Sequence, residues 1–158
     1  SPSASLPPTT LMSWSEARSR DYGRLLAMEA AALRALGRDD EAWPLAQRAA
    51  WLHEDGGTWL ALADSAAIRG HATFAAEADL EALARLDGSE LVRLPIEYRE
   101  RATARFLAAN PALANTTQGW LALLSAAAAR GAARGEALAK TEGAPRRIPP
   151  AGDPPGLH

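Results

Sequence analysis

The chain has 158 residues, 47% of them hydrophobic, and a formal net charge of −2, which is enough for one domain to bury a core without covalent staples. It contains no cysteine, so disulfides, thiolate metal sites and cysteine nucleophiles are excluded, while the redox compartment stays open. No apolar run approaches the roughly 20 residues of a membrane-spanning helix, and the longest, from Trp120 to Ala129, is far too short.

The chain opens on SPSASLPPTT, which has neither the charged start nor the apolar centre of a signal peptide. Residues 1–12 are expected to be an extended segment. Export to the periplasm and residence in the cytoplasm are both compatible with such a start, and peripheral membrane association is left open. Lys140 is the only lysine, an arginine bias that fits a GC-rich bacterial genome. Ser13-Trp14-Ser15-Glu16 has the form of a capping box and predicts a first helix from there to Leu36. Gly37 suits a helix end that needs positive φ, and Asp39 or Asp40 is expected to cap a second helix that runs through Trp43 to His53, with Pro44 in its first turn. Asp55-Gly56-Gly57 is a break. Thr58 is expected to cap a third helix from Trp59 to Arg69, closed by Gly70, and a fourth runs from Thr73 to Leu86.

Asp87-Gly88-Ser89 marks the next break, and Pro95 opens a longer helix that passes Tyr98 and Phe106 and ends at Asn110-Pro111. Thr116 or Thr117 then caps a helix from Gln118 to Arg130. Gly131 is expected to end that helix, with a short last one reaching Thr141. Residues 13–142 thus read as an all-α domain without strands. Residues 143–158 are too rich in proline to pack and read as an extended tail.

The chain also repeats. Gly37, Ala42 and Ala49 recur 33 residues later as Gly70, Ala75 and Ala82, and Leu26 maps onto Trp59 at the same offset. Trp59-Leu60-Ala61-Leu62 recurs as Trp120-Leu121-Ala122-Leu123, with Gly131 in phase with Gly70. Small residues at Ala63, Ala75 and Ala82 would let helix axes approach to about 8 Å. Each helix pair alone leaves an apolar face that stacking would bury.

These residues resemble the tetratricopeptide repeat, in which a helix carrying W-x2-L-[GA] is followed by a glycine turn and a second helix with two fixed small residues. Trp59, Leu62, Ala63, Gly70, Ala75 and Ala82 match that pattern in order. The preceding unit, Tyr22 to Asp55, matches through Gly37, Glu41-Ala42 and Gln47-Arg48-Ala49, but has Leu26 in place of the tryptophan and Glu29 in place of a leucine. A third unit near Gln118 keeps Trp120, Leu123 and Gly131, whereas residues 89–115 match poorly. The resemblance implies an α-solenoid of stacked antiparallel helix pairs with Pro-rich termini. It also implies an inner face drawn from the first helix of each pair, carrying Arg24, Arg34, Leu60, Asp64, Ile68, Leu121 and Ser125. For Leu60, Ile68 and Leu121, packing against a neighbouring pair is an equal alternative. The lysine and asparagine clamp by which some family members hold a terminal carboxylate is not matched.

Charge is uneven along the chain: residues 39–90 hold 11 acids and 3 bases, net −8, and residues 91–158 hold 9 bases and 5 acids, net +4. Such blocks either orient a partner or are solvated helix faces. Arg99, Arg101 and Arg105 beside Tyr98 are interleaved with Glu97 and Glu100, which permits local ion pairs and argues against nucleic-acid binding. Arg146-Arg147 would serve either as an anchor or as part of a solvated linker. His53 stands at a helix end, where an imidazolium suits the dipole; His71 lies in a turn and His158 is terminal, so no pair has metal-ligand spacing. No nucleophile motif or phosphate-binding loop is present. Trp59 and Trp120 are assigned to packing. Of Trp43 and Trp51, two turns apart, one should pack and one be accessible; an accessible tryptophan, or Trp14, would suit a binding hot spot. The expected function is a non-catalytic interaction module or accessory subunit that docks a peptide or neighbouring protein subunit without a cofactor. The alternatives are a structural subunit attached through its tails and, more distantly, a small enzyme with a site assembled from scattered residues.

Overall fold

The computed structural model describes the backbone of residues 8–140 and the side chains of residues 15–140. Among the described residues the helices run in the order α1 Pro8–Ala35, α2 Asp39–Leu52, α3 Gly56–Ile68, α4 Ala72–Ala84, α5 Gly88–Val92, α6 Ile96–Ala109 and α7 Gly119–Lys140, with a 3-10 turn at Pro111–Leu113. No strand occurs among the described residues. The expected tail at 143–158, with Arg146, Arg147 and His158, lies outside the described residues, as does the Trp14 side chain.

The helix ends follow from local chemistry, in places differently from the expectation. Helix α1 starts at Pro8, ahead of the Ser13 capping box; a proline in the first turn gives up an N–H that has no intrahelical partner. Helix α2 starts at Asp39 without any side-chain cap, so Asp39, Asp40 and Glu41 act instead as charges on its positive end. Pro44 therefore sits inside the helix, beyond the first turn. Helix α3 is capped by Asp55, not Thr58. The Asp55 carboxylate accepts from Thr58 N at 2.8 Å, and Thr58 Oγ1 accepts from Asp55 N at 3.0 Å while donating to His53 O. Asp87 and Glu90 form the same reciprocal box on α5, and hydrogen bonds from the Glu90 backbone N–H and then the Ser89 hydroxyl hold the Asp87 carboxyl below its ordinary range.

Two hairpins turn in the same way. Gly37 has φ +75° and Gly70 φ +84°. Around them Gly37 N donates to Arg34 O and Arg38 N to Leu33 O, and 33 residues later Gly70 N donates to Ala67 O and His71 N to Ala66 O. Both are Schellman turns, with the glycine in the left-handed region where a side chain is strained. The 33-residue offset seen in the sequence thus recurs in the backbone geometry of these two turns.

Helix α1 packs on α2 and α3 on α4, and the pairs meet through α2 with α3 and α1 with α3. Alanine makes this close contact possible: Ala30, Ala42, Ala46, Ala49, Ala63, Ala75 and Ala82 are all fully buried. One apolar cluster joins Leu26, Trp43 and Leu62 across the first two pairs. A second joins Leu80 and Leu83 of α4 to Tyr98 and Phe106 of α6 and Leu123 of α7. Trp43 is buried and Trp51 is 40% exposed. Trp59 and Trp120 pack against the first and second clusters respectively.

The third pair departs from the expectation. Residues 119–140 form one continuous helix, α7, so Gly131 is not a turn and the hairpin expected there does not exist. Its partner is α6, and both pack on α4. A lone glycine costs a helix about 1 kcal/mol relative to alanine, and contacts on both sides of Gly131 offset it. Arg130 bridges Glu77 and Glu81 of α4, and Arg134 Nη2 donates to Ala84 O at 3.5 Å. The identity of Trp59–Leu62 with Trp120–Leu123 therefore places Leu62 and Leu123 alike in apolar cores, but not before equivalent turns.

Candidate functional site

Helix α1, helix α3 and the start of α6 line a groove of about 760 Å³. Ala27, Met28 and Ala31 come from α1, Leu60 and Ala61 from α3, and Leu94, Pro95 and Tyr98 from the far side. Arg24 and Arg34 mark its extent along α1, ten residues apart, or about 15 Å at the helical rise. Its volume lies within the range of ordinary ligand clefts.

Of the residues expected on an inner face, Arg24, Arg34, Leu60 and Asp64 line this groove together. Ile68, at the end of α3, is 52% exposed and does not line it. Leu121 is 57% exposed and Ser125 is also exposed, both on α7 and away from the groove. Leu60 packs partly against the second apolar cluster as well. The lining also includes Met28, Leu94, Tyr98 and Arg101. No local pattern distinguishes Leu94, Tyr98 and Arg101, because that part of the chain reaches the groove only through contacts with residues far back along the sequence, such as that of Arg101 with Asp64.

Beside the groove runs a polar network. Asp79 of α4 is 1% exposed; it accepts from Tyr98 Oη at 2.8 Å, from Arg105 Nε at 2.7 Å and from Arg105 Nη2 at 2.9 Å. Arg105 Nη2 also reaches Asp64 at 3.1 Å, and Asp64 is gripped by Arg101 through Nε at 3.2 Å and Nη2 at 2.9 Å. Burial, then the Asp79 charge and hydrogen bond, push the Tyr98 phenol far above its ordinary range. Burial opposes the Arg105 charge, but the Asp79 hydrogen bonds and the Asp79 and Asp64 charges overcome it and raise its guanidinium.

The arginines of α6 therefore do not pair locally with Glu97 and Glu100. Arg101 and Arg105 pair with acids of α3 and α4, while Arg99 donates to Leu94 O and Val92 O and lies over the Trp120 ring. Part of the acidic middle thus pairs with part of the basic end across helices, through these bonds and those of Arg130 to Glu77 and Glu81.

Most charges lining the groove are similarly engaged. Arg24 pairs with Asp55 at 3.1 Å, and Arg85 with Glu54 and Glu81. Arg34 differs: its Nη1 donates to Ser65 Oγ at 3.0 Å and Ala61 O at 3.3 Å, and it has no carboxylate partner among the described residues. Burial pushes its guanidinium below its ordinary value against the more distant pull of Asp64, and the Arg101 charge adds to the lowering.

His53 closes α2, with Nε2 3.6 Å from Asp55 Oδ2. Among the described residues no group of three or more His, Asp or Glu side chains is arranged to hold a metal, and no helix is long and apolar enough to cross a membrane. No protein-family model matches this chain, and neither a curated protein nor a solved structure is found to match it.

Proposed function

We propose that the chain is a non-catalytic helical-repeat module of the tetratricopeptide type, and that its groove docks an extended peptide or a segment of a neighbouring subunit in a larger bacterial assembly. Two hairpins with the same turn, stacked through α2 and α3, support the solenoid reading. In that reading α6 and α7 form a degenerate third pair, set off by the α5 segment.

The groove itself carries the docking reading. It offers an apolar stretch from Met28, which is 68% exposed, to Leu94. Its length of about 15 Å accommodates four or five residues of extended chain. Apolar surface framed by fixed polar groups is the usual make-up of a peptide-binding cleft.

Ala31→Trp and Met28→Arg fill the groove from exposed positions of α1 without touching the core. Each variant of the full chain is expected to retain native circular dichroism and to lose at least tenfold in recovery of partners from the native lysate. Undiminished recovery with both variants would remove the groove reading. Loss only on deleting residues 144–158 or 1–12 would instead favour attachment through the tails.

A further inference from the structure

We propose that Arg34 is the anchor for an acidic side chain of the docked segment, so that the groove selects a peptide carrying Glu or Asp next to an apolar residue. This rests on the groove reading and narrows it to a chemical class.

The geometry is already used twice in the molecule. Arg101 holds Asp64 and Arg105 holds Asp79, each through the Nε and Nη2 edge of the guanidinium. On Arg34 only Nη1 is engaged, by Ser65 and the Ala61 carbonyl, and the Nε and Nη2 edge has no partner among the described residues. Those two bonds fix the side chain between α1 and α3. The open edge is therefore a positioned fork for one carboxylate, the geometry in which charge-assisted bonds are strongest and most selective. Its place in the groove wall, with Met28, Ala31 and Leu60 in the same lining, puts apolar surface beside it.

A half-buried cation without a counter-charge is costly, and a ligand that supplies the charge recovers that cost in binding. The neighbouring carboxylates do not fill the role, because Asp64 is taken by Arg101 and Arg105, and Asp55 by Arg24 and the α3 cap. Arg34 stands at one end of the lining along α1, which continues through Ala31, Met28 and Ala27 to Arg24, so apolar residues of the ligand beside its carboxylate have a surface on that side.

Heteronuclear NMR titration of the full-length chain with the capped peptide Ac-Ala-Leu-Glu-Leu-Ala-NH2 tests this. Saturable shifts are expected at the Arg34 Nε–H and at the amides of Ala31 and Leu60. Binding of the Gln counterpart is expected to be about tenfold weaker or more, the usual worth of a hydrogen-bonded charge. Arg34→Gln should abolish the preference for Glu, whereas Arg34→Lys should keep part of it. Equal binding of the Glu and Gln peptides, an unchanged preference in Arg34→Gln, or no saturable shift would overturn the assignment. So would tighter binding of the Gln peptide ending in a free carboxylate, which would move the site to a chain terminus. If partner recovery still falls in Ala31→Trp while these titrations fail, the groove reading stands and the carboxylate alone is refuted.

Discussion

Replacing Asp79 by asparagine removes one charge from the network between α4 and α6 without opening a cavity. In the native chain the carboxylate is 1% exposed and accepts three hydrogen bonds, two of them from Arg105, whose side chain is itself only 15% exposed. The asparagine keeps one acceptor oxygen but turns an NH2 donor toward Arg105 or the Tyr98 hydroxyl, where donors already stand. Removing one partner of a buried pair costs about 3–5 kcal/mol, because the other charge is left in a low-dielectric site. Arg105 retains its bond to Asp64 at 3.1 Å, which places the expected loss toward the lower end of that range. Against a domain stability of about 5–15 kcal/mol this is a large share, and it lowers Tm by roughly 6–15 °C for a chain of this size. Urea denaturation followed by tryptophan fluorescence and far-UV circular dichroism measures it. The double variant Asp79→Asn/Arg105→Met should lose less than the sum of the single changes, since it leaves no stranded cation. A loss below about 1 kcal/mol, the worth of an exposed ion pair, or strict additivity would show that the network does not fasten α6 to α4.

Tyr98→Phe removes one bond to Asp79 and is expected to cost about 1–2 kcal/mol near neutrality, read by the same denaturation. The Tyr98 phenol is raised in the fold, so its stabilising effect is whole below the unfolded value of about 10 and is lost as pH climbs above it. Native stability should therefore fall by about 1.4 kcal/mol per pH unit more steeply than that of Tyr98→Phe in alkali, and parallel curves would contradict the burial of this hydroxyl. Gly70→Ala should lose about 1–2 kcal/mol through backbone strain alone, because a Cβ there meets nothing within 4 Å. Gly131→Ala should instead gain about 0.5–1 kcal/mol, since its Cβ comes no closer than 3.4 Å to Ala84 within a continuous helix; a loss at both positions would mean that α7 turns at Gly131.

The first four helices were readable because their signals are local. A glycine that needs positive φ, an acidic first turn and a reciprocal cap act within a few residues, so Gly37, Gly70 and the break at Asp55 were visible as punctuation. The sequence points to Thr58 as the cap because Asp55 and Thr58 take part in one box, and which of them lies outside the helix depends on φ and ψ, not on composition. Gly131 is the opposite case. Its neighbours match those of Gly70 in sequence, and only the docking of α7 along α4, through Arg130 and Arg134, keeps the helix running. Of the groove, the part on α1 and α3 follows from helical spacing within the repeat. The part on α6 does not, because Arg101 and Tyr98 reach it through partners on α3 and α4 that no short-range pattern connects.

The same long-range pairing decides what the uneven charge of the chain does. Blocks of net −8 and +4 would produce opposed surface patches if their helices faced solvent separately. In the fold, Asp64 of α3 and Glu77, Asp79 and Glu81 of α4 pair with Arg101 and Arg105 of α6 and Arg130 of α7, so part of each block serves as the electrostatic side of the contact between these helices. The apolar side of that interface is Leu80, Leu83, Phe106 and Leu123. The third pair is thereby fixed in orientation despite its weak repeat pattern, and α6 is held where it walls the groove. Substitutions at Asp64 or Arg101 consequently act on the shape of the groove as well as on its charge, whereas Arg34, Met28 and Ala31 belong to α1 and can be altered without disturbing that junction. The distinction separates residues that build the groove from those available to read what enters it.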